Sequence, residues 1–188
     1  MYLYTLRQRQ QNQQRLELMS QVRRAYTGLV ADTATASSIQ VYESFQAPLV
    51  ASTSGIGDYL VAHFVDLDGK VYKTLGYYTT AVAGIPGLKR LWTYTVLWQP
   101  MPSDPTTLTL PSSSNPPAQA RTLLSFIQSG YPLPNTMSEQ GLFNLQSSGS
   151  VFIKGHAYDY GTVGSVTSTS VPAADQPFAF VLVPWNSR

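Results

Sequence analysis

Residues 59–78 read YLVAHFVDLDGKVYKTLGYY. Two runs rich in apolar and aromatic residues, Tyr59–Val65 and Val71–Tyr78, flank Asp68-Gly69. An Asp-Gly pair between such runs predicts a β-hairpin, since both central positions of a two-residue type I′ turn need positive φ. The same texture continues downstream. In Leu91–Trp98, Trp92, Tyr94, Val96 and Trp98 alternate with Leu91, Thr93, Thr95 and Leu97. Period two is the mark of a strand, and the aromatic face is the expected core face. Further strands are expected near 39–46, 58–66, 70–80, 106–110, 140–146, 150–158, 162–169 and 177–184, rich in Tyr, Val, Thr and Phe. The last of these, Phe178 to Val183, is apolar at every position and reads as a strand covered on both faces.

Helical signals are few. Residues 1–27 hold no glycine or proline and are rich in Leu, Arg, Gln and Met, which predicts a helix over about residues 4–28. Its apolar residues Leu16, Met19, Val22, Tyr26 and Leu29 fall at helical spacing and form the candidate oligomer interface. The half before them, Arg7 through Arg15, is almost wholly polar and has no stripe to bury. Residues 30–40 are small and polar, as in a linker. Residues 100–117 carry six prolines and read as a long irregular connection. Asn115-Pro116-Pro117 then has the form of a helix start, with a short helix over Ala118–Gln128 and Leu123, Leu124 and Ile127 inward. Helices do not alternate with strands, so a parallel α/β fold is excluded. The expected fold is mainly β: an antiparallel β-sandwich or jelly-roll-like body (residues 31–188) behind an N-terminal helical arm (residues 1–30), with one short inserted helix.

Charged residues make up 12% of the 188, about half the usual share for a soluble protein. The net charge is +2, but it is unevenly spread. The first 30 residues hold Arg7, Arg9, Arg15, Arg23 and Arg24 against Glu17 alone, whereas acidic residues outnumber basic ones in the remainder. Those five arginines, set among glutamines, are the candidate nucleic-acid contacts, through phosphate neutralisation. A solvated helix face accounts for them equally well. The chain has no cysteine and no Asn-x-Ser/Thr acceptor, and the N-terminus lacks the apolar core of a signal peptide. No run reaches the length of a membrane span. Synthesis inside the cell is the expectation.

No residue pattern assigns catalysis, a cofactor or a metal. His63 and His156 sit in separate strand-like segments and read as strand side chains. No G-x-S-x-G elbow is present. Asp66-Leu67-Asp68-Gly69 opens like a calcium loop, but Tyr77 stands where that loop needs its twelfth-position glutamate. Among the twelve tyrosines, Tyr77, Tyr78, Tyr131, Tyr158 and Tyr160 are candidates for exposed aromatic contacts. The protein is therefore expected not to be an enzyme.

This organisation resembles that of coat and other structural proteins of small non-enveloped viruses and phages. The features that carry it are the basic, Gln-rich arm (Arg7–Arg24), the small-residue linker (Ala31–Ser38), the cysteine-free β body with its proline-rich loop, and the apolar closing strand. The likeness is one of organisation, so no family residue is carried over. It implies a self-assembling virion protein, a capsid or capsid-associated subunit, made in the host cytoplasm and located in the virion. Its partners would be copies of itself, other particle proteins and, through the arm, packaged nucleic acid. The arm is more dilute in charge than many of its kind, so docking on neighbouring subunits is an equal role for it. The alternative is a receptor- or carbohydrate-binding head or spike, anchored to a particle through the N-terminal helix.

Overall fold

The computed structural model describes residues 2–133, 136–159, 169–171 and 178–183, and the side chains of 8–10, 12–130, 141–158 and 178–183. The fold is mainly antiparallel β with one long N-terminal helix. Helix α1 spans Tyr2–Thr33, a few residues longer at each end than the sequence suggests. It is followed by β1 (Ser38–Tyr42), β2 (Ile56–Gly57), β3 (Tyr59–Val65), β4 (Val71–Ala81), β5 (Lys89–Leu97) and β6 (Ala120–Ser129). Next come β7 (Tyr131–Leu133), β8 (Thr136–Gly141), β9 (Phe143–Leu145), β10 (Val151–Asp159), β11 (Thr169–Val171) and β12 (Phe178–Leu182). The segment expected as a strand over 162–169 lies largely outside the described residues.

Ten of these strands form one sheet in the order β1-β3-β4-β5-β6-β10-β9-β2, with β11 and β12 on β10. Because β2 runs through Asp58 into β3, the path returns to its own second strand, β3, beside β1. Close approach makes the return possible: a Cβ on Gly57 would stand 2.0 Å from the Tyr42 carbonyl oxygen. Residues 50–52 also lie along β1, with Ser52 N donating to Val41 O and Glu43 N to Val50 O. The result is a nearly closed, barrel-like sheet. A sandwich of two packed sheets was expected; ten strands instead share one hydrogen-bonded path, and β7 pairs with β8 in a separate two-stranded sheet.

The 59–78 hairpin is present, with β3 paired to β4 from Tyr59↔Tyr78 to Val65↔Val71. Its loop has three residues, not two. Gly69 N donates to Asp66 O, Asp66 N to Lys70 O, and Gly69, the turn's one glycine, has positive φ (76°). The Asp66 carboxylate closes the turn, accepting from the backbone N–H of Asp68 and of Lys70.

The two faces of the sheet have separate cores. Leu60, Ala62, Phe64, Leu75, Tyr77 and Leu91 lie on the face that α1 covers with Leu18, Val22 and Leu29. Tyr59, Val61, Tyr78 and Tyr94 lie on the other face, under Phe45, Leu49, Leu108 and Leu110 from the loops. Both rows of β5 are thus covered near its start, which refines the expectation that only the aromatic row faces a core.

Three expectations are corrected. Residues 118–128 are not a helix: β6 pairs with β5 on one edge and with β10 on the other. Asn115 ends a tight turn on Ser112 instead of capping a helix. Two open strand edges, each needing a partner for its N–H and C=O groups, outweigh a local helix signal. Residues 106–110 form no strand. Pro105–Thr107 is a single 3₁₀ turn capped by Asp104, whose carboxylate accepts from Thr106 N. Finally, β12 is not covered on both faces. Among the described residues it pairs with β10 alone, with Phe178 and Leu182 buried and Ala179 and Val181 exposed.

Candidate functional site

Two features of the molecule are candidates for contact with a partner or ligand. The first is the N-terminal half of α1. At 1.5 Å per residue, 32 residues extend about 48 Å. Body contact begins at Leu18, which is buried. Between Gln8 and Glu17 the described side chains are exposed apart from Gln14, which is half-buried. Among the described residues, this stretch is therefore largely uncovered by the body.

The predicted site residues divide between two faces of α1. Arg9, Arg15, Arg23 and Arg24 are exposed, as a phosphate or partner contact requires. Arg7 lies in the helix, with its side chain outside the described set. Of the predicted apolar stripe, Val22 and Leu29 are buried against the chain's own sheet. Tyr26 stacks on Phe180 with ring centroids 4.1 Å apart, and its hydroxyl donates to Val181 O at 3.3 Å. Leu16 and Met19 point outward, 67% and 49% exposed. The inward stripe is Leu18, Val22, Ala25, Leu29 and Thr33. Its spacing is also helical and legible in the sequence; alanine and threonine disguise it as polar.

The second feature is a cleft of about 790 Å³ on the face opposite α1, between β4, β5, the end of β6 and the loop after β1. One wall is aromatic. Phe45 stacks on Tyr78 at 3.8 Å, and Tyr78 lies near-parallel to Trp92 at 6.5 Å. Trp92 Nε1 donates to Thr80 Oγ1 at 2.9 Å, and the Arg90 guanidinium lies 5.5 Å from the Trp92 ring. The floor is a buried ion pair. Asp58 accepts from Ser129 Oγ (3.1 Å) and Leu142 N (3.0 Å) through Oδ1, and pairs with Lys89 Nζ through Oδ2. Burial pushes the Asp58 carboxyl above its ordinary range; Lys89 and the two other donors pull it back in part. This carboxylate ties the start of β3 to β5, β6 and the residue before β9, so it serves the closure of the sheet. No pattern of carboxylates predicted it, because its partners are distant in sequence.

The remaining candidates are dispersed. His63 (β3) and His156 (β10) are separated by β4, β5 and β6 in the sheet. The His63 imidazole is buried, 3.0 Å from Thr74 Oγ1, and burial lowers its pKa. Tyr77 and Tyr78, expected at the surface, are buried, and Tyr158 is half-buried. The side chains of Tyr131 and Tyr160 lie outside the described set. Among the described residues, no group of three or more His, Cys, Asp or Glu is placed to hold a metal ion, and no helix is long and apolar enough to cross a membrane.

No family model matches the chain, and no curated protein or solved structure matches it.

Proposed function

We propose that this protein is a non-enzymatic structural subunit of a virus-like particle, a capsid or capsid-associated protein, which assembles through α1. One observation carries the reading: a helix of about 48 Å in which the described side chains of residues 8–17, Gln14 apart, are exposed, within a polar, basic run from Arg7 to Arg15. Such a stretch gains nothing from burial on the body that bears it, and an isolated polar helix is marginal in water. A neighbouring subunit supplies the missing packing. Packaged nucleic acid, met by Arg9, Arg15, Arg23 and Arg24, is the second partner of that reading.

Light scattering with the 260/280 nm absorbance ratio tests it. The full chain is expected to form a large species, and deletion of residues 1–16 to leave a folded monomer. High 260 nm absorbance would add nucleic acid as cargo. A full chain that stays monomeric at high concentration would overturn the reading.

The cleft favours a second reading, a glycan- or receptor-binding head carried on a particle. An aromatic wall beside hydroxyl and amide groups suits a sugar ring. A small cyclic oligomer without nucleic acid, binding an oligosaccharide in a manner lost on Trp92→Ala, would support it.

A further inference from the structure

Of the exposed large apolar side chains, five gather at one end of the sheet: Val65, Leu67, Tyr72, Leu97 and Met101. The strand pairing brings them together. Leu67 stands at the tip of the β3–β4 turn, fully exposed. Leu97 is the cross-strand partner of Lys73 in β4, and Val71 N donates to the carbonyl of Pro102, beside Met101. The charges at this end are Asp66, Asp68 and Asp104 against Lys70 and Lys73. The three carboxylates outnumber the two ammonium groups, and Lys73 lies over the Phe64 ring, 3.8 Å from its centroid, so the net charge of this end is negative.

The exposed apolar pair Leu16 and Met19 lies on α1 among arginines. Arg15, Met19 and Arg23 are four residues apart and share one face. That face is opposite in charge to the turn end and carries the matching apolar groups. The two surfaces are held apart within one chain, since α1 ends beside the turn end and runs away from it. Just beyond α1, Ser37 N donates to His63 O, and Ser37 Oγ accepts from Val65 N at the turn end. Toward its N-terminus α1 reaches Phe180, partnered with Ile153 of β10 two residues before Gly155. Gly155 in turn partners Ser129, which is bonded to Asp58 at the far end of β3. The free half of α1 therefore points away from the turn, and a chain cannot fill its own turn end with its own arm.

We infer that the Arg15–Leu16–Met19–Arg23 face of α1 docks on the β3–β4 turn end of a second copy of this chain. Leu16 and Met19 meet Leu67 and Leu97, and the arginines meet Asp66, Asp68 and Asp104. This rests on the assembly reading above and names the surface that receives the arm.

A charge exchange tests it. One full-length variant carries Arg15→Glu, Met19→Glu and Arg23→Glu; the other carries Leu67→Lys and Asp68→Lys. All five positions are exposed, and Gly69 and the turn-closing Asp66 are kept. Sedimentation velocity follows the mass of each variant alone and of an equimolar mixture. Each alone should need at least about ten-fold more protein than wild type to assemble, since like charges then face each other. The mixture should assemble near the wild-type concentration, because each reversed surface finds its complement. Variants that assemble as readily as wild type would overturn this docking surface and leave the assembly reading standing. Variants that fail alone and also fail when mixed, while keeping the wild-type thermal midpoint, would overturn it too. A monomeric wild type would remove both.

Discussion

Gly76 is why the aromatic cluster on the cleft-bearing face can form. A Cβ there would stand 2.0 Å from the Tyr94 ring, so Tyr94 lies across the glycine and its hydroxyl reaches that of Tyr59. Tyr59 passes the chain on, donating to Pro111 O at 3.0 Å and so tying the proline-rich loop to the sheet. A second buried chain runs through Thr74, whose Oγ1 accepts from Trp98 Nε1 at 2.7 Å and lies 3.0 Å from His63 Nδ1. It makes His63 a source of pH dependence. The folded state holds this imidazole below its ordinary pKa, whereas the unfolded chain binds a proton near pH ~6.5. Its contribution is complete above that pH and falls as pH drops toward the folded pKa, because the unfolded state then binds more protons. Asp58, with a raised folded pKa, works in the opposite sense, and it does so in wild type and variant alike. The thermal midpoint of wild type should therefore fall more between pH 7.5 and 5 than that of His63→Gln. Equal falls would show that His63 takes up its proton as easily folded as unfolded.

At the scale of elements, α1 shows how a stripe can be half legible. Leu29 is buried at the helix–sheet contact, whereas Leu16 is two-thirds exposed on the free half. Leu29→Ala should cost about 2–5 kcal/mol in urea denaturation, as for other buried large-to-small changes, and Leu16→Ala close to nothing. Similar costs for both would mean that α1 packs through the sequence-predicted stripe after all. The hairpin at 59–78 was legible because turn chemistry and alternation agree there. Strand β6 was not: Asn115-Pro116-Pro117 and the run Leu123, Leu124, Ile127 make a sound local helix signal. What makes the segment a strand is its pair of partners, β5 and β10, both remote in sequence. The same holds for the cleft. Asp58 meets Ser129 and Leu142 across 71 and 84 residues, and no spacing along the chain announces such a meeting. The exposed stretch of α1 was readable for the reverse reason, since the run from Arg7 to Arg15 carries no apolar residue to bury.

At the scale of the molecule, charge is divided between an arginine-bearing helix and a body in which acidic residues outnumber basic ones. Between copies, that division makes association sensitive to ions. Raising salt from about 0.05 M to about 1 M shortens the screening length from over ~10 Å to ~3 Å. Assembly of the wild-type chain should shift to higher protein concentration over that range, as read by sedimentation velocity. An unchanged or tighter association would assign the contact to Leu16, Met19 and Leu67 without the arginines. A further consequence follows from where α1 leaves the body. The free part of α1 and the Asp66–Lys70 turn are different surfaces of the chain, so an arm-to-turn contact is heterologous and each added copy offers a fresh arm. Nothing in such a contact limits the number of copies except the rotation that each step imposes. The angle at which α1 lifts off near Leu18 then decides whether the series bites its own tail as a ring or runs on as a filament.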